Sequence, residues 1–186
     1  MADGKGYYEV QMVGWAGQGI VSAARTLAQA AGIYDGKNVT QTESHGISQR
    51  GGMSEAEVII SDEEIDYPYV KHPDVLLALT QKECMDYLPN LKDDGLLIVD
   101  SGKVTNVPET KASVYSLPLT QIARQAGAEL ATNMVALAVI SALGGAVSYK
   151  ALEQIIEERM PPRMKSVNLA ALKAGWEAAE KVKRGG

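Results

Sequence analysis

A three-layer α/β domain, with a mostly parallel sheet and a helical C-terminal portion, is the fold class that this sequence predicts. Three observations carry it. The apolar run Tyr8–Val13 leads through Gly14-Trp15-Ala16-Gly17-Gln18-Gly19 into an alanine-rich helical stretch, the opening of a strand–turn–helix unit. Val75–Leu79 and Leu96–Val99 are short unbroken apolar runs, with Asp74 before the first and Asp100 after the second, as suits strands buried on both faces. The last third of the chain is helical by composition throughout. A chain of 186 residues reads as one domain over residues 1–186, long enough to bury roughly 70% of its unfolded surface.

Taken in order, Tyr8–Val13 is the first strand and Ile20–Ala31 the first helix, with Val21, Ala24, Leu27 and Ala28 on one face and Gly32 as its stop. Lys37–Glu43 is the second strand, which makes the opening segment a βαβ unit. Ser54–Ser61 alternates, with Ala56, Val58 and Ile60 on one side, and Asp62-Glu63-Glu64 follows as a charged turn. Val75–Leu79, a crossover helix at Lys82–Leu91, and Leu96–Val99 form the next unit, followed by a strand at Ala112–Leu117. Helices are expected at Leu119–Ala128, Asn133–Leu143, Tyr149–Arg159 and Val167–Lys183, with Pro161-Pro162 separating the last two. Leu169, Leu172, Trp176 and Ala179 give the final helix one apolar face.

Composition narrows the function classes. The hydrophobic fraction of 46% and the charged fraction of 22% are those of an ordinary globular protein. A net charge of −5 argues against a nucleic-acid binder, which needs a basic face. The polar N-terminus lacks the apolar core of a signal peptide, and no apolar run approaches the ~20 residues that span a bilayer. The expectation is a cytoplasmic protein with no membrane and no nucleic-acid partner. The single cysteine, Cys84, excludes a disulfide within the chain and a cysteine-ligated iron–sulfur cluster or zinc site, and reads as a buried helical thiol.

Two glycine-rich elements are the candidate site. Gly14, Gly17, Gln18 and Gly19 form Gly-x-x-Gly-x-Gly, which is not the Gly-x-Gly-x-x-Gly order of a dinucleotide fingerprint. Three readings are open there: glycines that let strand and helix pack closely, a dinucleotide site with Glu43 as a loosely spaced ribose acceptor, or recognition of another ligand or partner group by a helix N-terminus. The second element runs from Ser44 to Gly52 and interleaves His45, Gln49 and Arg50 with Gly46, Gly51 and Gly52. Arg50 can offer a planar fork to a carboxylate or phosphate, or pair locally with Glu43 or Glu55. His72 reads as structural or solvated. No nucleophile–base pair and no metal-ligand spacing appears, so no residue is assigned as catalytic and no metal is expected.

The ordered set of Gly14–Gly19, Arg50-Gly51-Gly52 with Ser54, Ile60–Ile65, Pro73–Leu76, Asn133 and Asn168–Gly175 resembles the gamma subunits of 2-oxoacid:ferredoxin oxidoreductases, from about Tyr8 to Glu180. The resemblance implies a Rossmann-like domain within an enzyme complex that decarboxylates a 2-oxoacid oxidatively. Thiamine diphosphate and iron–sulfur clusters would serve that complex, with coenzyme A as acyl acceptor. It implies alpha, beta and delta (ferredoxin-like) partner subunits and ferredoxin as electron acceptor, with none of the cofactors bound by this chain alone. Gly14, Gly17, Gln18, Gly19, His45, Gln49, Arg50, Gly51 and Gly52 would then contact substrate, coenzyme A or a partner. Ser44–Gln49 looks more like the beta subunit of indolepyruvate oxidoreductases than the Ser-Tyr-Gly-Pro-Glu-like lead of ketoglutarate types. Branched-chain oxoacids, pyruvate and aryl-pyruvates therefore stay open beside 2-oxoglutarate, the expectation carried forward. The alternative is a free-standing nucleotide-binding or ligand-sensing module.

Overall fold

The structure, a computed structural model, describes residues 6–45 and 52–185. Its centre is a six-stranded sheet in the order β2-β3-β1-β4-β5-β6. The strands are β1 (Tyr7–Trp15), β2 (Asn38–His45), β3 (Met53–Ser61), β4 (Val75–Ala78), β5 (Leu96–Asp100) and β6 (Ser113–Leu117). β1, β4, β5 and β6 pair in parallel, and β3 runs antiparallel to both neighbours. The α/β class and the mostly parallel sheet are as the sequence predicts.

Helices α1 (Ile20–Ile33), α2 (Gln81–Tyr87), α3 (Leu119–Gln125), α4 (Thr132–Gly144), α5 (Tyr149–Arg159) and α6 (Pro162–Lys183) complete the fold. Strand alternation sorts the core into two halves. Val10, Met12, Val58, Val75, Leu77 and Ile98 face the larger core with α1, α4, α5 and α6, whereas Val13, Leu76, Ala78, Leu97 and Val99 face a thinner one under α2. Helix α4 sits in the middle of the thick layer, so ten consecutive residues from Asn133 to Ala142 are buried. Among the described residues no helix is long and apolar enough to cross a membrane.

The opening βαβ expectation needs correction. β1 and β2 run in the same direction, but β3 lies between them, registered from Tyr7↔Ser61 to Trp15↔Met53 on one side and from Asn38↔Ser61 to His45↔Ser54 on the other. The polar sequence of β2 suits an edge, while β3 brings Ala56, Val58 and Ile60 to the core and takes the inner place. The crossover helix is also shorter than expected, because Pro89 turns the chain into a 3₁₀ turn at Leu88–Asn90. At the other end α6 begins at Pro162, where a missing amide hydrogen costs a helix nothing, five residues before the expected start at Val167.

Candidate functional site

Adjacent strands β1 and β4 are parallel, yet the helices that follow them leave toward opposite faces: α1 packs in the thick layer and α2 in the thin one. Such a switch point opens a crevice at the carboxyl ends of the strands. The first glycine element closes that end of β1. Gly17 and Gly19 have φ of 92° and 76°, backbone that side-chain-bearing residues avoid. The Gln18 amide nitrogen donates to the Trp15 carbonyl at 3.1 Å, and the Trp15 amide donates to Gln18 Oε1 at 2.6 Å, so the side chain of Gln18 is folded back into the turn. Gly19 then caps α1 with no side-chain acceptor, which leaves the first-turn amides to a ligand or to water.

Asn133, at the start of α4, fixes this turn from the other side. Its Nδ2 donates to the Gly19 carbonyl at 3.3 Å, the same oxygen that accepts the Ala23 amide. A Cβ at Gly19 would stand 2.5 Å from Asn133 Nδ2, so the close approach is available to glycine alone.

The two glycine elements meet. His45 pairs with Ser54 at the end of the β2–β3 hairpin, and the Ala16 amide donates to the Gly52 carbonyl at 2.9 Å. The residue that leads into β3, Gly52, is thereby held beside the first turn. Gln49, Arg50 and Gly51 lie outside the described residues, as does the side chain of His45. Glu43, the loosely spaced ribose candidate, sits on β2 with β3 interposed between it and β1, and faces Arg25 at 3.9 Å. That extra strand spacing of about 5 Å removes it from the glycine turn and with it the geometry of a dinucleotide site. His72 is exposed, with Nδ1 3.3 Å from the Asn90 carbonyl. Cys84 is buried, and burial pushes its thiol up from the ordinary value.

Beside the first glycine turn is a cleft of about 100 Å³ lined by Gly17, Gln18, Lys103, Thr120, Glu129 and Thr132. Lys103 escaped sequence reading because it stands in no motif; it follows β5 in a tight turn. The buried Asp100 holds that turn, accepting the Gly102 amide at 3.2 Å and the hydroxyl and amide of Thr120 at the start of α3. Lys103 pairs with no carboxylate among the described residues, whereas Glu129 is neutralised by Arg124 at 2.9 Å. The cleft therefore presents an ammonium group, two threonines and a glycine turn at a helix N-terminus, an arrangement that suits an anion.

Known proteins resemble this chain over most of its length. The model of the pyruvate ferredoxin/flavodoxin oxidoreductase family matches residues 9–178. The 2-oxoglutarate synthase subunit KorC of Methanothermobacter marburgensis is 39% identical over 176 residues, covering 91% of this chain and 95% of its own. The indolepyruvate oxidoreductase subunit IorB of Archaeoglobus fulgidus is 31% identical, covering 91% of this chain and 94% of its own. The crystal structure of the keto/oxoacid ferredoxin oxidoreductase gamma subunit from Geobacter sulfurreducens superimposes with a TM-score of 0.84 at 39% identity, over 94% of this chain and 99% of that one.

Proposed function

The chain belongs to the pyruvate ferredoxin/flavodoxin oxidoreductase family, and on that premise we propose that it is the gamma subunit of a 2-oxoglutarate:ferredoxin oxidoreductase. In this reading it completes the coenzyme A or substrate environment of a complex and carries no turnover of its own. The observation that supports it best is the first glycine turn beside Lys103, at a crevice suited to a phosphate or carboxylate, with Gly52 of the second element bonded to that turn. The choice of oxoacid rests on similarity: the 2-oxoglutarate synthase subunit is closer in sequence than the indolepyruvate subunit, despite the indolepyruvate-like Ser44–Gln49 segment.

Thiamine diphosphate and iron–sulfur clusters do not fit this chain's own residues. Its one cysteine is buried, and among the described residues no group of three His, Cys, Asp or Glu could hold a metal ion. The alpha, beta and delta subunits would supply that chemistry and pass electrons to ferredoxin. Coenzyme A does fit the cleft in charge: Lys103 and the α1 N-terminus would face a phosphate, with Arg50 added from the hairpin.

Anaerobic isolation of the complex through this chain tests the reading. Iron, thiamine diphosphate and coenzyme A-dependent oxidation of 2-oxoglutarate are expected to travel together, with pyruvate, ketoisovalerate and indolepyruvate turned over more slowly. Elution of the chain alone with a bound nucleotide would overturn it.

A further inference from the structure

On the thin side of the sheet β2 and β3 carry a polar face, reached from α2 by the side chain of Tyr87. Glu55 and Glu57 project there from β3, held in place by one shared donor: Gln11 Nε2 reaches Glu55 at 2.7 Å and Glu57 at 3.3 Å. Tyr87 donates to the other oxygen of Glu55 at 3.0 Å, while Thr42 and the Val70 amide donate to Glu57 at 2.9 and 3.3 Å. Neither carboxylate meets a lysine, arginine or histidine among the described residues. Two carboxylates two residues apart on one strand face are thus oriented by neutral donors and, among the described residues, paired with no cation.

A second observation marks the same place as unfinished. Gln11 is 95% buried (5% exposed), and its Oε1 has no hydrogen-bond partner among the described residues although the other end of the amide lies between the two glutamates. Thr40, on the Thr42 face of β2, also has an orphaned hydroxyl, and so does one oxygen of Glu83, which is 3% exposed on α2 one turn before Tyr87. Buried polar groups of this kind cost about 1–3 kcal/mol each when left unpaired. Around them stand half-exposed aromatic residues: Trp15, on the strand face of Gln11 and Val13, and the edge-to-face pair Tyr67–Tyr69 beside Val70. Aromatic residues of that exposure around a polar centre are what protein interfaces use as anchors.

We propose that this face is the docking surface for a basic segment of a partner subunit, whose arginine or lysine side chain enters between Glu55 and Glu57 while its apolar neighbours cover Trp15 and Tyr69. The inference rests on the complex proposed above and names the surface that holds it together. Charge complementarity selects the occupant: the neutral donors already in place orient both carboxylates, and a cation adds the counter-charge that they do not supply. Burial raises the affinity of Glu57 for its proton, with Glu55 adding to the effect, as expected of a carboxylate awaiting a counter-ion.

The test is the double variant Glu55→Gln/Glu57→Gln, which keeps shape and removes charge. The chain is purified, and its binding to the remaining subunits of the isolated complex is measured across a range of salt concentrations. The expected result is at least a tenfold rise in Kd with a flatter salt dependence, while circular dichroism of the free variant is unchanged. A Kd within twofold of wild type, with the fold intact, would overturn the proposal alone. Failure of the wild-type chain to bind those subunits would sink the complex and the surface together. Should the free wild-type chain sediment as a dimer that the double variant dissolves, the face belongs to a second copy and the partner segment is refuted.

Discussion

Gly19 shows how much a single position can be asked to do. It adopts a left-handed φ, caps α1, and lies under Asn133, so an alanine there meets both backbone strain and a side chain 2.5 Å away. Gly19→Ala should cost about 2 kcal/mol, roughly half of it from φ and the rest from the clash. Adding Asn133→Ala removes the clash, so a denaturant double-mutant cycle should give less-than-additive losses, and strict additivity would show that the two residues do not touch. Lys103 makes a prediction about function rather than stability. Lys103→Ala should leave the melting temperature unchanged and raise the KM of the complex for coenzyme A about fivefold, about 1 kcal/mol for an exposed charge, with the effect shrinking as salt rises. An unchanged KM at low salt would exclude the lysine from the site. Glu57 supplies the pH dependence. Burial and the nearby Glu55 raise its folded pKa above the unfolded value, although hydrogen bonds from Thr42, Val70 and Gln11 oppose them. The folded chain therefore binds this proton more readily than the unfolded chain, and stability falls as pH rises through the window just above the ordinary carboxylate value. Glu57→Gln removes that loss: the free chain should be more stable at pH 8, by at most about 1 kcal/mol after solvent screening, and the advantage should vanish at acid pH, where the wild-type carboxyl is neutral in both states. A stability gain that persisted at acid pH would assign the effect to packing.

Among the elements, α4 and α6 approach closely at Gly175. A Cβ on Gly175 would stand 2.5 Å from the Val135 carbonyl oxygen, and that obstacle is backbone, which cannot swing aside. Gly175→Ala should cost about 1–3 kcal/mol as overpacking, seen as a lowered denaturation midpoint, and a neutral result would mean that α6 shifts freely enough to admit a methyl group. Most elements were legible in the sequence because their local signals agree with their final environment. The runs at Val75 and Leu96 became doubly buried strands, and the Ser148-led helix Tyr149–Arg159 has the expected limits, capped by the Ser148 hydroxyl accepting the Ala151 amide. Strand order was not legible. A βαβ reading of the first segment assumed that successive strands are neighbours, but the hairpin joining β2 to β3 is a local pairing that displaces β2 to the edge. Nothing in the spacing of Lys37–Glu43 announces this; its polarity was the signal to use. Lys103 was invisible for a related reason: only the folded chain brings the turn after β5 to the glycines after β1.

At the scale of the whole molecule, the question is how much of a working site one such chain contains. Its cleft of about 100 Å³ is well below the ~300–1,000 Å³ of pockets that enclose a small ligand, and its open side carries the exposed Leu130. Among the described residues the cation that lines this cleft is Lys103, so the chain offers a charged ledge rather than an enclosure. Binding to a ledge leaves most of the ligand in water and recovers little beyond the association cost. The free chain should accordingly fold cooperatively yet bind coenzyme A no more tightly than about 1 mM by calorimetry, worth about −4 kcal/mol, and reduce no acceptor dye with any 2-oxoacid. The assembled complex should bind the same ligand in the micromolar range, about −8 kcal/mol, because partner surfaces close over the ledge. Arg50→Ala should weaken the complex and leave the free chain's already feeble binding almost unchanged. A micromolar Kd for the free chain would reverse the argument. It would make the glycine turn a complete nucleotide site in its own right and reduce the remaining subunits to consumers of what this one binds.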